Sequence, residues 1–496
     1  MRTRAVAWFT LSMLLTAGGA FAGSIGPDVV LADLYDTRYW GRVGDIVAYS
    51  LATEICNPGD EDANWIAGTN EHPVIAQNLY RLNDGAMEQI GMSWLKHGFT
   101  AINGNACGLG CIPPGFGGDK LGVGCSDPYD AGLNGDQGGF GFGGLGPRFE
   151  VNAFTGVFPY PYTFQGQTGD DIYKRLQVHV DDVTPALNPD ALYFIEGQYV
   201  TADDAQAGNG TNNASYRPVR VANDLDLILD GPTVPGQGAI FAWQAEDPTV
   251  DVVTVQVPDE GQMHLASKVT NLGGGMWHYE YAIHNLNSHR SAQAFEVPVA
   301  AGVTVSDVGF HDVDYHSGEP FALTDWTNNV GSSVRWETDT FAVDPNANAL
   351  RWGTMYNFRF DADAPPTPVT ATIDLFRDGS PGSVTALTVG PGEAIAPTLN
   401  LTGACPGVID LQVDDLTANG QAGIVTGTGG GVTTVPTGLC SGTDLDLGDA
   451  TPLSIVTADG NGSFAASPNV PSGSCGQSIQ VIDLTTCLTS DAVPIP

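Results

Sequence analysis

Apolar and polar residues alternate with the period of a half-buried strand along most of the chain, in short runs broken by Gly, Pro, Asn and Asp. Up to about residue 215 these runs are sparse. AQNLYRL-NDG-AMEQIGMSW predicts a hairpin about Asn83-Asp84-Gly85, whose residues tolerate the positive φ of a tight turn, and RLQVHVDDV and ALYFIEGQYV predict two more strands. Between the hairpin and those strands, a glycine-rich run from Gly108 to Gly146 predicts a long surface loop. From about 216 to 380 the runs crowd together. AIFAWQA, VDVVTVQV, HLASKVTN, WHYEYAIHN, AQAFEVPV, VTVSDVGFHDVDYH, SVRWETD, LRWGTMYNFRFD and VTATIDLFRD are candidate strands at sandwich spacing, with no amphipathic helix among them. The stretch Ala364-Pro365-Pro366-Thr367-Pro368 reads as a rigid break or short linker. Beyond 381 the pattern gives a linker and a small sandwich, with SIVTA-DGNG-SFAA as its clearest hairpin. The fold class is therefore mostly β. It comprises an N-terminal irregular β domain with long Gly-rich loops (23–215), a central β-sandwich (216–380) and a small C-terminal Ig-like β-sandwich (381–496).

Composition places this architecture outside the cell. MRTRAVAWFTLSMLLTAGGAFAG carries two arginines, an apolar run from Ala5 to about Leu15, and Ala20-Phe21-Ala22 before Gly23, the pattern of a secretory signal over 1–22. No later stretch reaches the roughly 18 to 20 apolar residues of a spanning helix, so no transmembrane segment is expected after signal removal. The 496 residues include 18 lysines and arginines against 56 acidic residues, a net charge of −38. That charge repels nucleic acid and anionic membranes. The acids are dispersed through loops such as PGDEDAN, HVDDV, TADDAQ and QVDDLTANG, where Ca²⁺ is the cation they suit, although no EF-hand spacing occurs.

Eight cysteines fall into two groups, Cys56, Cys107, Cys111, Cys125 and Cys405, Cys440, Cys475, Cys487, and the central domain has none. In an oxidising compartment this predicts two disulfides per group, with three connectivities open in each. The rival is a zinc site from Cys107, Cys111, Cys125 and His97.

One hairpin carries candidate chemistry. In HLASKVTNLGGGMWHYEYAIH a turn at Gly273-Gly274-Gly275 would place Leu272 opposite Met276, with all paired residue numbers summing to 548. Val269, Tyr279, Ser267, Tyr281, Leu265 and Ile283 then form a core-covering face, while Lys268 meets Glu280 and His264 meets His284 on the outer, polar face. Opposed histidines have Cβ atoms about 4.5 to 5.5 Å apart, close enough to share one Zn²⁺ or Cu²⁺. Alternation in GFHDVDYHSGEP offers Asp312 and His316 as further ligands, and His289 lies near the hairpin end. His278 sits roughly 20 Å along the strand from His284 and is too far to join them. The rival reading makes these histidines ordinary sandwich scaffolding.

Catalytic signatures are sparse. There is no G-x-S-x-G, no H-E-x-x-H and no dinucleotide loop, since GGFGFGG lacks a flanking strand, helix and ribose-binding acid. Gly23 as mature N-terminus leaves no N-terminal histidine for a copper brace. The surroundings of Asp127, Arg148, His179 and Glu196 are where acid, base and aromatics could meet.

The phrases GPDVVLADLYD, EHPVIAQNLYRL, MEQIGMSWLKHGF, KLGVGCSDPYDAGLNG, YAIHNLNSHRS and NALRWGTMYNFRFDAD together resemble a group of long exported bacterial multidomain β proteins of unknown function, over most of residues 26 to 378. The C-terminal segment resembles the Ig-like modules of bacterial surface proteins. These resemblances imply export and modular β architecture. The functional expectation is an exported acidic β protein that serves as a binding or structural component at the cell surface or in the extracellular matrix, with glycans, surface polymers or divalent cations as partners. The alternative is a secreted polysaccharide-acting hydrolase or metal-dependent oxidase.

Overall fold

Strand accounts for 49% of the described residues and helix for 5%, in several separate sheets, so the mostly-β reading holds. The structure is a computed structural model and describes residues 24–115, 117–139, 143–314, 318–392, 396–417, 420–436, 440–459 and 462–496. The signal segment 1–22 and part of GGFGFGG lie outside the described residues. Two compact units emerge: residues 24–83, 90–239 and 318–319 in one, and 84–89, 240–314 and 320–496 in the other.

The first unit is built on an 11-stranded sheet. Its main strands are β1 (Val30–Val43), β2 (Ile46–Cys56), β3 (Val74–Asn83), β4 (Ala86–Met92), β5 (Leu176–His179), β6 (Leu192–Val200), β7 (Ala214–Val221) and β8 (Leu227–Leu229), in the order β1-β2-β5-β4-β3-β6-β7-β8. The turn between β3 and β4 is where the NDG signal puts it: Asp84 has φ +50° and Gly85 φ +85°, values a two-residue hairpin turn requires. Leu31, Tyr49, Leu51, Ile55, Ile75 and Ile195 share one core.

In the second unit β9 (Asp251–Val257), β10 (Gly261–Gly273), β11 (Met276–Asn285), β12 (Ala292–Pro298), β13 (Val305–His311), β14 (Thr327–Val330), β15 (Ser333–Glu337), β16 (Thr354–Ala362), β17 (Pro366–Leu375) and β18 (Ser383–Pro391) form two five-stranded sheets. Their orders are β9-β10-β11-β16-β13 and β14-β15-β12-β17-β18. An aromatic layer joins them: the ring of Phe295 lies 5.6 Å from Tyr281 and 5.0 Å from Phe358, and Trp336 lies 5.3 Å from Phe358. Edge-to-face and offset arrangements at these distances add to the burial of large rings.

Three expectations fail here for identifiable reasons. AIFAWQA forms a helix, Ile240–Glu246, with Ile240 and Trp243 buried. A short apolar run cannot be assigned by periodicity, and Ala and Gln favour helix. Pro366 and Pro368 lie inside β17 and pair with β18. Because β12 pairs only with Thr372–Leu375, the prolines occupy a stretch where β17 is locally an edge and no ladder donor is lost. The SIVTA and SFAA runs do not form a hairpin. The strand Asp444–Thr457 pairs with Gln421–Thr434 in one four-stranded sheet, whereas Phe464–Ala466 pairs with Gly407–Asp414 in another. Both sheets cover a shared core of Ile409, Val413, Ile424 and Val481, so Thr457 and Phe464 belong to different sheets.

All eight cysteines are paired, Cys56–Cys107, Cys111–Cys125, Cys405–Cys475 and Cys440–Cys487, and none is free. The zinc alternative fails because its thiolates are consumed. Among the described residues no helix is long and apolar enough to cross a membrane.

Candidate functional site

An open cleft of about 810 Å³ in the first unit is lined by Asp33, Tyr35, Glu54, Cys107, Arg217 and Thr233, among others. Its floor comes from the pairing of β1 with β2, where Asp33 stands directly opposite Glu54. The register slips on both sides of Asp33, between Leu31 and Asp33 and again between Asp33 and Asp36. Bulges re-aim side chains and leave residues unpaired, and here the unpaired stretch presents Tyr35, which is 36% exposed. The Cys56–Cys107 disulfide ties a cleft-lining loop residue to the end of β2.

Charge is unevenly distributed in this cleft. Asp33 Oδ1 accepts hydrogen bonds from Arg217 Nη1 at 3.0 Å and from the Thr233 hydroxyl at 2.5 Å. Arg217, on β7, also donates to Leu34 O at 2.8 Å and, through Nε, to Gly231 O at 2.8 Å, so carbonyls of β1 and of the segment after β8 hold it in place. Among the described residues no cation pairs with Glu54. Burial raises its pKa and the charge of Asp33 adds to that, against a hydrogen bond from Ser126. Tyr35 is pushed up to about 12, by burial first and then by Asp130, Glu54, Asp36 and Asp127. Burial lifts Asp127 to about 7 against hydrogen bonds from Ile102 N and Trp65 Nε1. The arrangement combines an exposed ring, two facing carboxylates in unlike environments and an anchored guanidinium. Rings bind apolar sugar faces while carboxylate and guanidinium hydrogen-bond hydroxyls.

Asp127, Arg148, His179 and Glu196 do not converge. The Arg148 guanidinium is spent on Ser93 O at 2.6 Å, Gln77 O at 3.0 Å and Asn78 Oδ1 at 2.8 Å. Asn78 Nδ2 in turn donates to Glu196 Oε1 at 2.8 Å, and Tyr80 OH and Ala239 N also donate to that carboxylate. This is a satisfied polar core. His179 is exposed and its Nδ1 accepts from Asp181 N at 3.3 Å, capping a short 3₁₀ turn. His97 is buried against Tyr162, with ring centroids 3.6 Å apart, and shares a 2.9 Å hydrogen bond with His72.

In the second unit the 548 register is observed from Met263–Asn285 to Asn271–Trp277, with His264 opposite His284. It slips at the turn, where Gly273 pairs with Met276 in place of Leu272. Gly274 and Gly275 alone make the loop, with φ +63° and +85°, a two-residue turn that matches strand twist. Tyr279, Tyr281 and Ile283 are core, as the pattern requires.

The histidine face is not an outer face. His264 is 4% exposed and His284 fully buried. The ring of Phe241, from the Ile240–Glu246 helix, packs on His264 at 4.8 Å. Residues 84–89 cover the same face, with Gln89 Oε1 accepting from Met355 N at 2.7 Å and Met87 O accepting from Asn357 Nδ2 at 2.9 Å. Asp312 does not join the pair. Its carboxylate accepts from Asn348, whose Oδ1 accepts from Tyr356 OH at 2.7 Å. Tyr356 lies next to Met355 in β16 and therefore faces the opposite side of the sheet. Burial lifts Asp312 to about 6. His316 lies outside the described residues. Among the described residues no three His, Cys, Asp or Glu side chains are grouped to hold a metal ion. A second open cleft, about 430 Å³, is rimmed by Asp325, Glu337, Asp339 and Asp344.

No family model matches the chain, and no curated protein matches it. Among solved structures the chain is similar to a tetra-tandem repeat in the extending region of a large adhesion protein (8% identity, 94% of this chain, 99% of that chain, TM-score 0.16). It is also similar to the BSP domain of a biofilm-associated protein (9% identity, 97% of this chain, 84% of that chain, TM-score 0.14). TM-scores this low fix neither a fold nor a role.

Proposed function

We propose that this chain is an exported, disulfide-stapled β protein that binds polymeric glycan at the cell surface or in the extracellular matrix, through the cleft of its first unit. The observation that carries this reading is Tyr35, held partly exposed by a doubly bulged strand beside Asp33, Glu54 and Arg217. Eight paired cysteines support an oxidising compartment, and the net charge of −38 supports neutral or cationic polymers over nucleic acid. Affinity electrophoresis of the mature chain against a panel of neutral and cationic polysaccharides tests the reading. Retardation by at least one polymer is expected, and migration unaffected by all of them sinks it.

One observation favours a second reading, hydrolysis. Directly opposed carboxylates, one raised by burial and the other paired with arginine, match the acid and nucleophile of a retaining glycosidase. Release of reducing ends by wild-type protein and its loss in Glu54→Gln, with binding intact, would establish it. Binding without release leaves the binding reading alone.

A further inference from the structure

Four side chains form one row across four neighbouring strands of the second unit: Thr254 on β9, His264 on β10, His284 on β11 and Met355 on β16, each opposite the next in register. Directly opposed residues share a face, with Cβ atoms about 4.5 to 5.5 Å apart. His284 and Met355 are fully buried and His264 nearly so. Neither ring nitrogen of His284 has a hydrogen-bond partner among the described residues, an exception that a packed interior rarely tolerates. His264 differs in that its Nδ1 lies 3.2 Å from Thr254 Oγ1. With the hydroxyl accepting the Nδ1 proton, Nε2 carries the lone pair, which is how a metal-binding imidazole is oriented from behind.

We propose that His264, His284 and Met355 form a binding site for a soft monovalent cation, Cu⁺. Two imidazoles and a thioether, with no carboxylate or thiolate, are the donors such an ion selects, and few neutral ligands satisfy it. Zn²⁺ calls for four ligands in a tetrahedron. The ring centroids of the pair are 6.2 Å apart. One ion bound by both rings at about 2 Å per bond holds the centroids roughly 5.1 to 6.3 Å apart, the wider value belonging to a near-linear arrangement. The observed separation sits at that end. Burial keeps both rings neutral, lowering His264 to about 3 and His284 to about 4, so their lone pairs are not lost to protons at neutral pH. The chain has no free cysteine to bind copper first.

Competition between the mature chain and bicinchoninate for Cu⁺, in ascorbate so that the disulfides stay intact, tests the proposal, with Ag⁺ as a redox-inert second probe. Wild-type protein should retain one Cu⁺ per chain and His284→Leu none. Met355→Leu, nearly isosteric and so expected to fold, should weaken binding tenfold or more. His72→Gln, which alters the other buried histidine pair, should bind as wild type. Three results overturn the proposal: no Cu⁺ held against the competitor, equal retention by His284→Leu, or a site that takes Zn²⁺ in preference to Ag⁺.

Discussion

Replacing His284 by leucine in metal-free protein separates what the imidazole costs from what it provides. Among the described residues its two buried ring nitrogens have no hydrogen-bond partner, and an unsatisfied buried polar group costs about 1–3 kcal/mol. Leucine fills similar space without that cost, so at pH 7.5 the variant should be more stable than wild type by about 1–3 kcal/mol. A pH term adds to this. Burial lowers the folded pKa of His284 from 6.5 to about 4. Between those values the unfolded chain takes up a proton that the native state refuses, so the residue's contribution falls as pH drops from about 6.5 to about 4 and is constant above. At pH 4.5 that loss amounts to about 2–3 kcal/mol at 1.36 kcal/mol per unit. The leucine variant escapes it, so its advantage should grow by that amount. Urea unfolding followed by tryptophan fluorescence at pH 7.5 and 4.5, with a Cu⁺ chelator present, reads both terms. A variant less stable than wild type at pH 7.5, or an advantage identical at both pH values, would show that the buried imidazole carries no such cost.

Other outcomes follow from the same physical arguments. Trp336→Ala removes a fully buried ring from the aromatic layer and should cost about 3–5 kcal/mol, seen as a lowered urea midpoint. Replacing Cys440 and Cys487 together by serine opens a link across 47 residues; the chain-entropy argument gives a loss of about 4 kcal/mol, checked by thermal unfolding and by faster proteolysis after residue 400. Arg217→Met strips Asp33 of its cation and releases Leu34 O and Gly231 O. It should weaken glycan binding while lowering stability by only about 1–2 kcal/mol, because the ion pair is partly exposed.

The period-two pattern was sufficient to read the hairpin register residue by residue, because a one-residue slip would have turned Tyr279, Tyr281 and Ile283 to the other face of the sheet, away from the core they occupy. The same pattern could not say what covers the other face. Lys268, Glu280 and two histidines read as polar and hence external, yet the Ile240–Glu246 helix and residues 84–89 lie over that end of the sheet. Cover supplied by remote segments leaves no mark in local periodicity. The cleft was missed for a related reason. Asp33-Leu34-Tyr35-Asp36 is an acidic and aromatic interruption of a strand, which is a signal in principle. Its meaning depends on Arg217, 184 residues away, and on Glu54 in register across a bulge. Met355 escaped notice because thioethers are not sought as ligands, and only strand order brings it beside His284.

On the proposed function, the bulge-presented Tyr35 and its neighbouring carboxylates hold a glycan. Isothermal titration of wild type and Tyr35→Ala, with whichever polysaccharide retards the chain, tests this most directly. Tyr35 is partly exposed, so the variant should fold as wild type and bind about tenfold more weakly, the loss of roughly 1.4 kcal/mol expected for one stacking ring. Unchanged affinity in a folded Tyr35→Ala would show that this ring does not hold the glycan.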